Sequence, residues 1–275
     1  MSSTRPVYAE VSSAVVRPCS PVRAVVGRPQ PPHRRAVPRE SRRVVTSTAV
    51  RVLAAALLAT IVAACGGSSR TYESDPQQIL SESKQVVDAT SALHFKLTSD
   101  GAGSSSGIVI KGGEGDAVRP SGFAGSFDIT RSGFSLSLKI VSSGGSFYVQ
   151  LPFTSGYQKT DPGSYGFSDP GKLIDPGPGL SSLLSSTLSA SLGARDRLAG
   201  EELYEVKVTL PGQKVKDLLT SADPSKPVDG TMGINVDNHQ ARRVVLTGPF
   251  FQAGQNSTFT LLLTNYGESV AVTPP

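Results

Sequence analysis

Residues Phe134-Ser135-Leu136-Ser137-Leu138-Lys139-Ile140 alternate apolar and polar side chains without interruption. Only an extended strand with one buried face can use that period, because successive side chains on a strand point to opposite sides. The alternation recurs in Leu93, Phe95 and Leu97, in Phe127 and Ile129, in Phe147, Val149 and Leu151, and in Tyr204, Val206, Val208 and Leu210. It returns at Met232, Ile234 and Val236, at Val244 and Leu246, at Phe259, Leu261 and Leu263, and at Val270 and Val272. A Gly/Ser run at 101–107, the Gly144-Gly145 pair and the Asp237-Asn238 turn separate several of these segments. Short strands joined by such turns predict an antiparallel meander.

Helices are predicted in three places. Asp75 supplies an N-cap and Pro76 a first-turn proline; Ile79, Leu80, Ser83, Val86 and Val87 then share one face up to about Thr90. A second helix is predicted from Pro178, with Leu180, Leu183, Leu184 and Leu188 at helical spacing, and a third from Pro211, with Val215, Leu218 and Leu219. Residues 160–180 hold Pro162, Pro170, Pro176 and Pro178 among many glycines and predict irregular chain. The fold class is therefore α+β: one domain with a large antiparallel sheet and a few helices on one side.

Charge divides the chain. Residues 1–65 hold ten arginines and two acidic residues, whereas residues 66–275 hold seventeen basic and twenty acidic residues. The basic isoelectric point thus belongs to the N-terminal stretch, and the mildly acidic remainder argues against a nucleic-acid partner. Residues 52–64 form an uncharged, mostly apolar run of 13 residues. A membrane-spanning helix needs about 20, so the run suits the core of a signal peptide, with Arg51 before it. Val62, Ala63, Ala64 and Cys65 have the form of a bacterial lipobox. Its small residues let an extended chain enter a narrow peptidase site, and the Cys65 thiol accepts diacylglycerol as a thioether. Two or three acyl chains anchor a protein stably where one is marginal.

The expected organisation follows. Residues 1–43, rich in Arg and Pro, are disordered or lie upstream of a true translation start near Val44 or Val45; residues 44–64 are the lipoprotein signal peptide; residues 65–74 are a flexible tether; residues 75–275 are a single domain. Cys19 falls before the cleavage point, which leaves the mature chain one cysteine, itself lipidated. With His33, His94 and His239 scattered, no zinc site or other cofactor is expected.

Several short segments, taken together, point to a family. They are Thr160-Asp161-Pro162, Asp175-Pro176-Gly177-Pro178-Gly179-Leu180, Arg242-Arg243, Leu246-Thr247-Gly248-Pro249-Phe250, Asn256-Ser257-Thr258-Phe259-Thr260-Leu261, and Asn265-Tyr266-Gly267-Glu268 with Val270. Combined with the lipobox cysteine, the first helix, the meander and the Leu/Ser helix, they make residues 65–275 resemble the mycobacterial LppX/LprA/LprF/LprG lipoproteins. The resemblance implies a curved antiparallel half-barrel, with helices packed on its concave side around an apolar cavity for acyl chains. It implies a non-enzymatic carrier of acylated lipids, glycolipids or lipoglycans through the cell envelope. Such a protein is exported and held in the periplasmic space on the outer face of the inner membrane through lipidated Cys65. A membrane lipid exporter is a partner of at least one member.

The residue chemistry is compatible with a carrier. Burying a methylene gains about 0.8 kcal/mol, so an aliphatic slot needs few polar groups to hold a lipid. Candidate wall residues are Ile79, Val86, Phe127, Ile129, Leu136, Leu138, Val149, Leu151, Leu183, Leu184, Leu188 and Leu218. The alternative is a structural or interaction lipoprotein of the cell envelope, in which these residues form a dry core and no lipid cavity exists. Gly103-Ser104-Ser105-Ser106-Gly107 matches the hydrolase pattern G-x-S-x-G. It sits in a Ser/Gly run before a strand, where a nucleophile elbow needs a strand before it and a helix after it, so it reads as a loop. Asp161, Asp169 and Asp175 lack the tight alternate spacing of a calcium loop and read as turn residues. Glu201, Glu202 and Glu205 read as solvated surface, and Arg242-Arg243 as edge-strand charge or a headgroup contact.

Overall fold

The computed structural model describes residues 72–100, 107–252 and 254–275. All of them fall in one of the two units into which the chain divides, Ser68–Pro275. The other unit, Met1–Gly67, lies outside the described residues, and with it the lipobox residues Val62, Ala63 and Ala64 and the acceptor Cys65.

The first meander comprises β1 (Ala92–Asp100), β2 (Ile108–Val118), β3 (Gly122–Arg131), β4 (Phe134–Ser143), β5 (Ser146–Gln150) and β6 (Gln158–Thr160). The second comprises β7 (Ser189–Leu192), β8 (Asp196–Leu198), β9 (Glu201–Leu210), β10 (Val228–Asn235), β11 (Ala241–Gln252) and β12 (Gln255–Thr264). Among the described residues these make one antiparallel sheet in the order β6-β5-β4-β3-β2-β1-β12-β11-β10-β9-β7, with β8 paired to β9 off the path. The first meander runs outward from β1, and the second runs inward to β12, which pairs with β1 at the centre.

Directly opposed residues share a face of a sheet. The register therefore lines up Leu138, Phe127, Gly113, Leu97, Leu261, Val244, Met232, Val206 and Leu192 in one apolar row across nine strands. Gly113 and Gly115 are needed on this face, because a Cβ on either would stand 2.6 Å from the ring of Phe127 or Phe123. The rings lie over bare backbone and pack against each other, Phe95 on Phe123 with centroids 5.5 Å apart. On the opposite face, the cross-strand pairs His94–Asp116 (2.8 Å) and Lys96–Glu114 (3.8 Å) meet solvent.

The apolar face is covered by connections. Helix α1 (Pro76–Ala89) is capped by Asp75, whose Oδ1 accepts the Gln77 N–H at 2.9 Å, and it buries Ile79, Leu80, Ser83 and Val87. Residues 161–188 run from β6 to β7, at opposite ends of the sheet, and so must cross the face. They contain two 3-10 turns (Pro162–Tyr165 and Pro170–Lys172) and helix α2 (Leu180–Ser185). Helix α3 (Gly212–Lys216) follows β9.

The α+β class with a large antiparallel sheet and few helices stands, but the curved half-barrel implied by the resemblance does not. The sheet is open, neither closed nor strongly curled. Its path ends at β6 and β7, which do not pair. The crossing segment, rather than curl of the sheet, covers the core. Two smaller expectations also change. Helix α2 stops at Ser185, and the Leu188 N–H instead donates to the Thr209 carbonyl at 2.8 Å, entering β7. Val270 and Val272 lie beyond β12 in chain without regular structure.

The ring-over-glycine packing gives a direct test. Gly115→Val should lower stability by about 1–3 kcal/mol through overpacking against Phe123. Gly156→Ala, where a Cβ meets nothing within 4 Å, should change it by less than about 0.5 kcal/mol. Urea unfolding of the two variants measures both.

Candidate functional site

Between the sheet and the crossing segment lies an apolar cavity of about 100 Å³. Its floor is the centre of the sheet: Phe95 and Leu97 from β1, Ile110 from β2, Phe127 from β3, Val244 and Leu246 from β11, and Phe259 and Leu261 from β12. Its roof is Phe167, Ser168, Asp169, Pro170 and Leu173 of the crossing segment, Leu180 and Leu183 of α2, and Leu218 and Leu219 just past α3. The centre of the roof touches the floor through aromatic contact. Phe167 stacks on Phe127 with centroids 4.8 Å apart and planes at 20°.

The margins of the roof are held by polar groups. Asp169 accepts the Gly171 N–H at 2.9 Å and the Ser142 hydroxyl of β4 at 2.5 Å. Asp175 accepts the Ser121 hydroxyl, in the β2–β3 turn, at 2.5 Å. Arg119 of the same turn donates to the Ile174 carbonyl, and also to the Val87 carbonyl at the end of α1 at 3.1 Å. On the other side, Ser168 donates to the Asp217 carbonyl at 2.7 Å and Thr220 to the Gly166 carbonyl at 2.5 Å. A segment rich in Gly and Pro cannot supply its own ladder, so its buried backbone polar groups find partners in the turns it passes.

Of the residues chosen from sequence as walls, Phe127, Leu183 and Leu218 line this cavity. Ile79, Ile129, Leu138, Val149 and Leu184 are buried in the surrounding core, and Leu136 and Leu151 pack against it partly buried. Val86 is half-buried on α1, and Leu188 is 65% exposed at the sheet edge. The floor residues of β1, β11 and β12 were legible as strand residues but not as walls, because nothing local says that β1 and β12 are neighbours. Phe167 was missed altogether, since it is one apolar residue in an irregular stretch.

Other polar candidates are accounted for by local contacts. Asp161 caps its 3-10 turn through the Gly163 N–H at 2.9 Å. Among the described residues no group of three His, Cys, Asp or Glu is placed to hold a metal ion. Arg242 pairs with Glu201 at 2.8 Å, Arg243 with Asp196 at 2.5 Å and Arg195 with Glu202 at 3.1 Å. Glu205 lies 3.9 Å from Arg243, so the three glutamates are all ion-paired, and the two adjacent arginines sit on an interior strand. His239 pairs with Glu82 of α1 at 2.9 Å and stacks on Tyr204. Ser105 lies outside the described residues.

A model of the LppX_LprAFG lipoproteins matches residues 75–272. The chain belongs to that family. Its similarity to the lipoarabinomannan carrier protein LprG is 25% identity over 233 residues, covering 82% of this chain and 94% of that protein, in both Mycobacterium tuberculosis and Mycobacterium bovis. Among solved structures, LprF from Mycobacterium bovis matches with TM-score 0.60 at 16% identity, covering 74% of this chain and 98% of that one. LppX from Mycobacterium tuberculosis matches with TM-score 0.52 at 15% identity, covering 72% and 97%. Membership makes the protein an exported, membrane-associated lipoprotein of the cell envelope and not an enzyme, and it supports a lipid-carrier role at the level of the family.

The segments by which the family was recognised do structural work at the site. Asp175 and Leu180 fasten and line the roof. Asn265 and Gly267 take left-handed backbone beyond β12, with φ of 55° and 76°. Between them the Tyr266 hydroxyl donates to the Ala241 carbonyl at 2.6 Å, tying the end of β12 to the start of β11. Burial pushes that phenol's pKa up.

One carboxylate on α1 is held ionised by its neighbours. Burial disfavours the charged form of Asp88, but the hydrogen bond from Lys84, with the charges of Lys84 and Arg119, outweighs it and holds the pKa below the ordinary 3.8. A depressed carboxylate stabilises the fold above its ordinary pKa, and that contribution is lost as pH falls through the folded value. Melting temperatures measured from pH 6 down to pH 2 should therefore fall below about pH 4. Asp88→Asn should flatten part of that fall.

Proposed function

We propose that the protein is a lipid carrier. The signal peptide at 44–64 exports it, and a thioether on Cys65 holds it on the outer face of the inner membrane, in the periplasmic space. It takes the acyl chains of a lipid, glycolipid or lipoglycan between the apolar row of the sheet and the crossing segment. The observation that carries this reading is an apolar cavity between the sheet and the segment that crosses it. The likeness to proteins named as lipoarabinomannan carriers supports it. A membrane lipid exporter is the partner we expect on the supply or delivery side.

At about 100 Å³ the cavity is below the roughly 300–1,000 Å³ of pockets that enclose a ligand. The roof must therefore lift as the chains enter, with Phe167 leaving Phe127. A dozen buried methylenes contribute about 10 kcal/mol, enough to offset the loss of those contacts. The small volume is also the one observation that favours the structural or interaction lipoprotein.

Native mass spectrometry of the full lipoprotein, purified from a mycobacterial host, separates the two readings. A carrier retains an acylated lipid that organic extraction releases. Leu183→Trp, which fills the cavity, should reduce that occupancy. Phe167→Ala should destabilise the lipid-free protein by about 3–5 kcal/mol and increase lipid retained per protein. A ligand-free wild type, with no gain in Phe167→Ala, would leave the structural reading.

A further inference from the structure

Tyr72 follows Cys65 by seven positions in the sequence, and Tyr72 is fastened to the sheet. Its hydroxyl donates to Glu202 at 3.4 Å, the Arg195 guanidinium lies over its ring, and the next residue's N–H donates to the Tyr204 hydroxyl at 3.0 Å. Seven extended residues reach at most about 25 Å. The eleven strands of the sheet path span about 48 Å at their usual spacing. Tyr72 sits over the start of β9, at Glu202 and Tyr204, two residues before Val206 pairs with Leu192 of β7, so this end of the sheet lies within the tether's reach of Cys65.

The same edge leaves large apolar side chains uncovered. Ala190 and Leu192 stand opposite Val208 and Val206, on the face that elsewhere is roofed. Leu192 is 38% exposed, and Leu188, next in the same alternation, is 65% exposed. Helix α2 ends at Ser185, before it could cover them. Leu192 is three residues from the Arg195 that stacks on Tyr72, a chain distance of about 11 Å at most. Three nearby arginines are ion-paired, Arg195, Arg242 and Arg243 being met by Glu202, Glu201 and Asp196.

We infer that the Leu188–Leu192 edge is a membrane-contact surface, resting in the interface of the bilayer that holds the acyl chains of Cys65. This rests on the anchoring proposed above. The contact is apolar, so it is insensitive to salt. It covers an edge strand that would otherwise invite another chain. It also sets the outgoing end of the roof segment at the bilayer surface, where a guest lipid would enter or leave.

The sequence contains no tryptophan, so Leu188→Trp and Leu192→Trp each create a single reporter. Phe134→Trp, at a site 74% exposed on β4, is the comparison. Each full lipoprotein, extracted from membranes, is reconstituted into vesicles of phosphatidylcholine with brominated acyl chains. Emission should be lost at positions 188 and 192 and kept at 134, equally at 0.1 M and 1 M salt, although screening tightens from about 10 Å to about 3 Å. Mass spectrometry of the Cys65 peptide from the same sample checks the anchor. An unmodified Cys65 would overturn the anchoring and the inference with it. A lipidated Cys65 with unquenched emission at 188 and 192 would overturn the inference alone. A blue shift that grows with protein density without bromine quenching would mean a second copy covers the edge, and would equally overturn it.

Discussion

The pairing of β1 with β12 governs the rest of this structure. By joining the first and last strands at the centre, it sends β6 and β7, which are consecutive in the chain, to opposite ends of the sheet. The residues between them have no choice but to cross a face. The apolar row from Leu138 to Leu192 decides which face, because covering it removes hydrocarbon from water and covering the His94–Asp116 side would not. The roof over the cavity is thus a consequence of strand order combined with one-sided hydrophobicity.

The cover is built differently at its centre and its margins. At the centre it has side chains with no directional bonds, with Phe167, Leu180 and Leu183 against the sheet. At the margins it has serine–aspartate contacts and an arginine that reaches two carbonyls. Dispersion contacts at the centre can be replaced by a guest's methylenes with little preference for shape. Hydrogen bonds to the turns cannot be replaced by hydrocarbon, so under the proposed function they would keep the strap registered while guest chains entered beneath it.

Much of the sheet was legible because period-two alternation is a local signal. The strands around Phe134–Ile140, Tyr204–Leu210 and Phe259–Leu263 lie in strands of the structure. So does helix α1, marked by Asp75-Pro76. Strand order was not legible, since the β1–β12 neighbourhood joins residues about 170 positions apart through nothing but complementary faces. For that reason the floor residues Val244, Leu246 and Phe259 were not recognised as walls. Leu188 misled because its spacing from Leu184 suits a helix, whereas its backbone is claimed by Thr209 of β9. The half-barrel came from the resemblance and not from any residue pattern, and the open path of the sheet replaces it.

The central position of β12 bears on when the sheet can be completed. Each meander can zip locally, but the two halves cannot be stitched together until β12 meets β1, nor can the Gly267 N–H reach the Ala92 carbonyl at 2.8 Å. A polypeptide threaded through a secretion pore must stay unfolded until it is across. A seam between the first strand and the twelfth leaves the chain incomplete, and therefore threadable, while β12 is still to come.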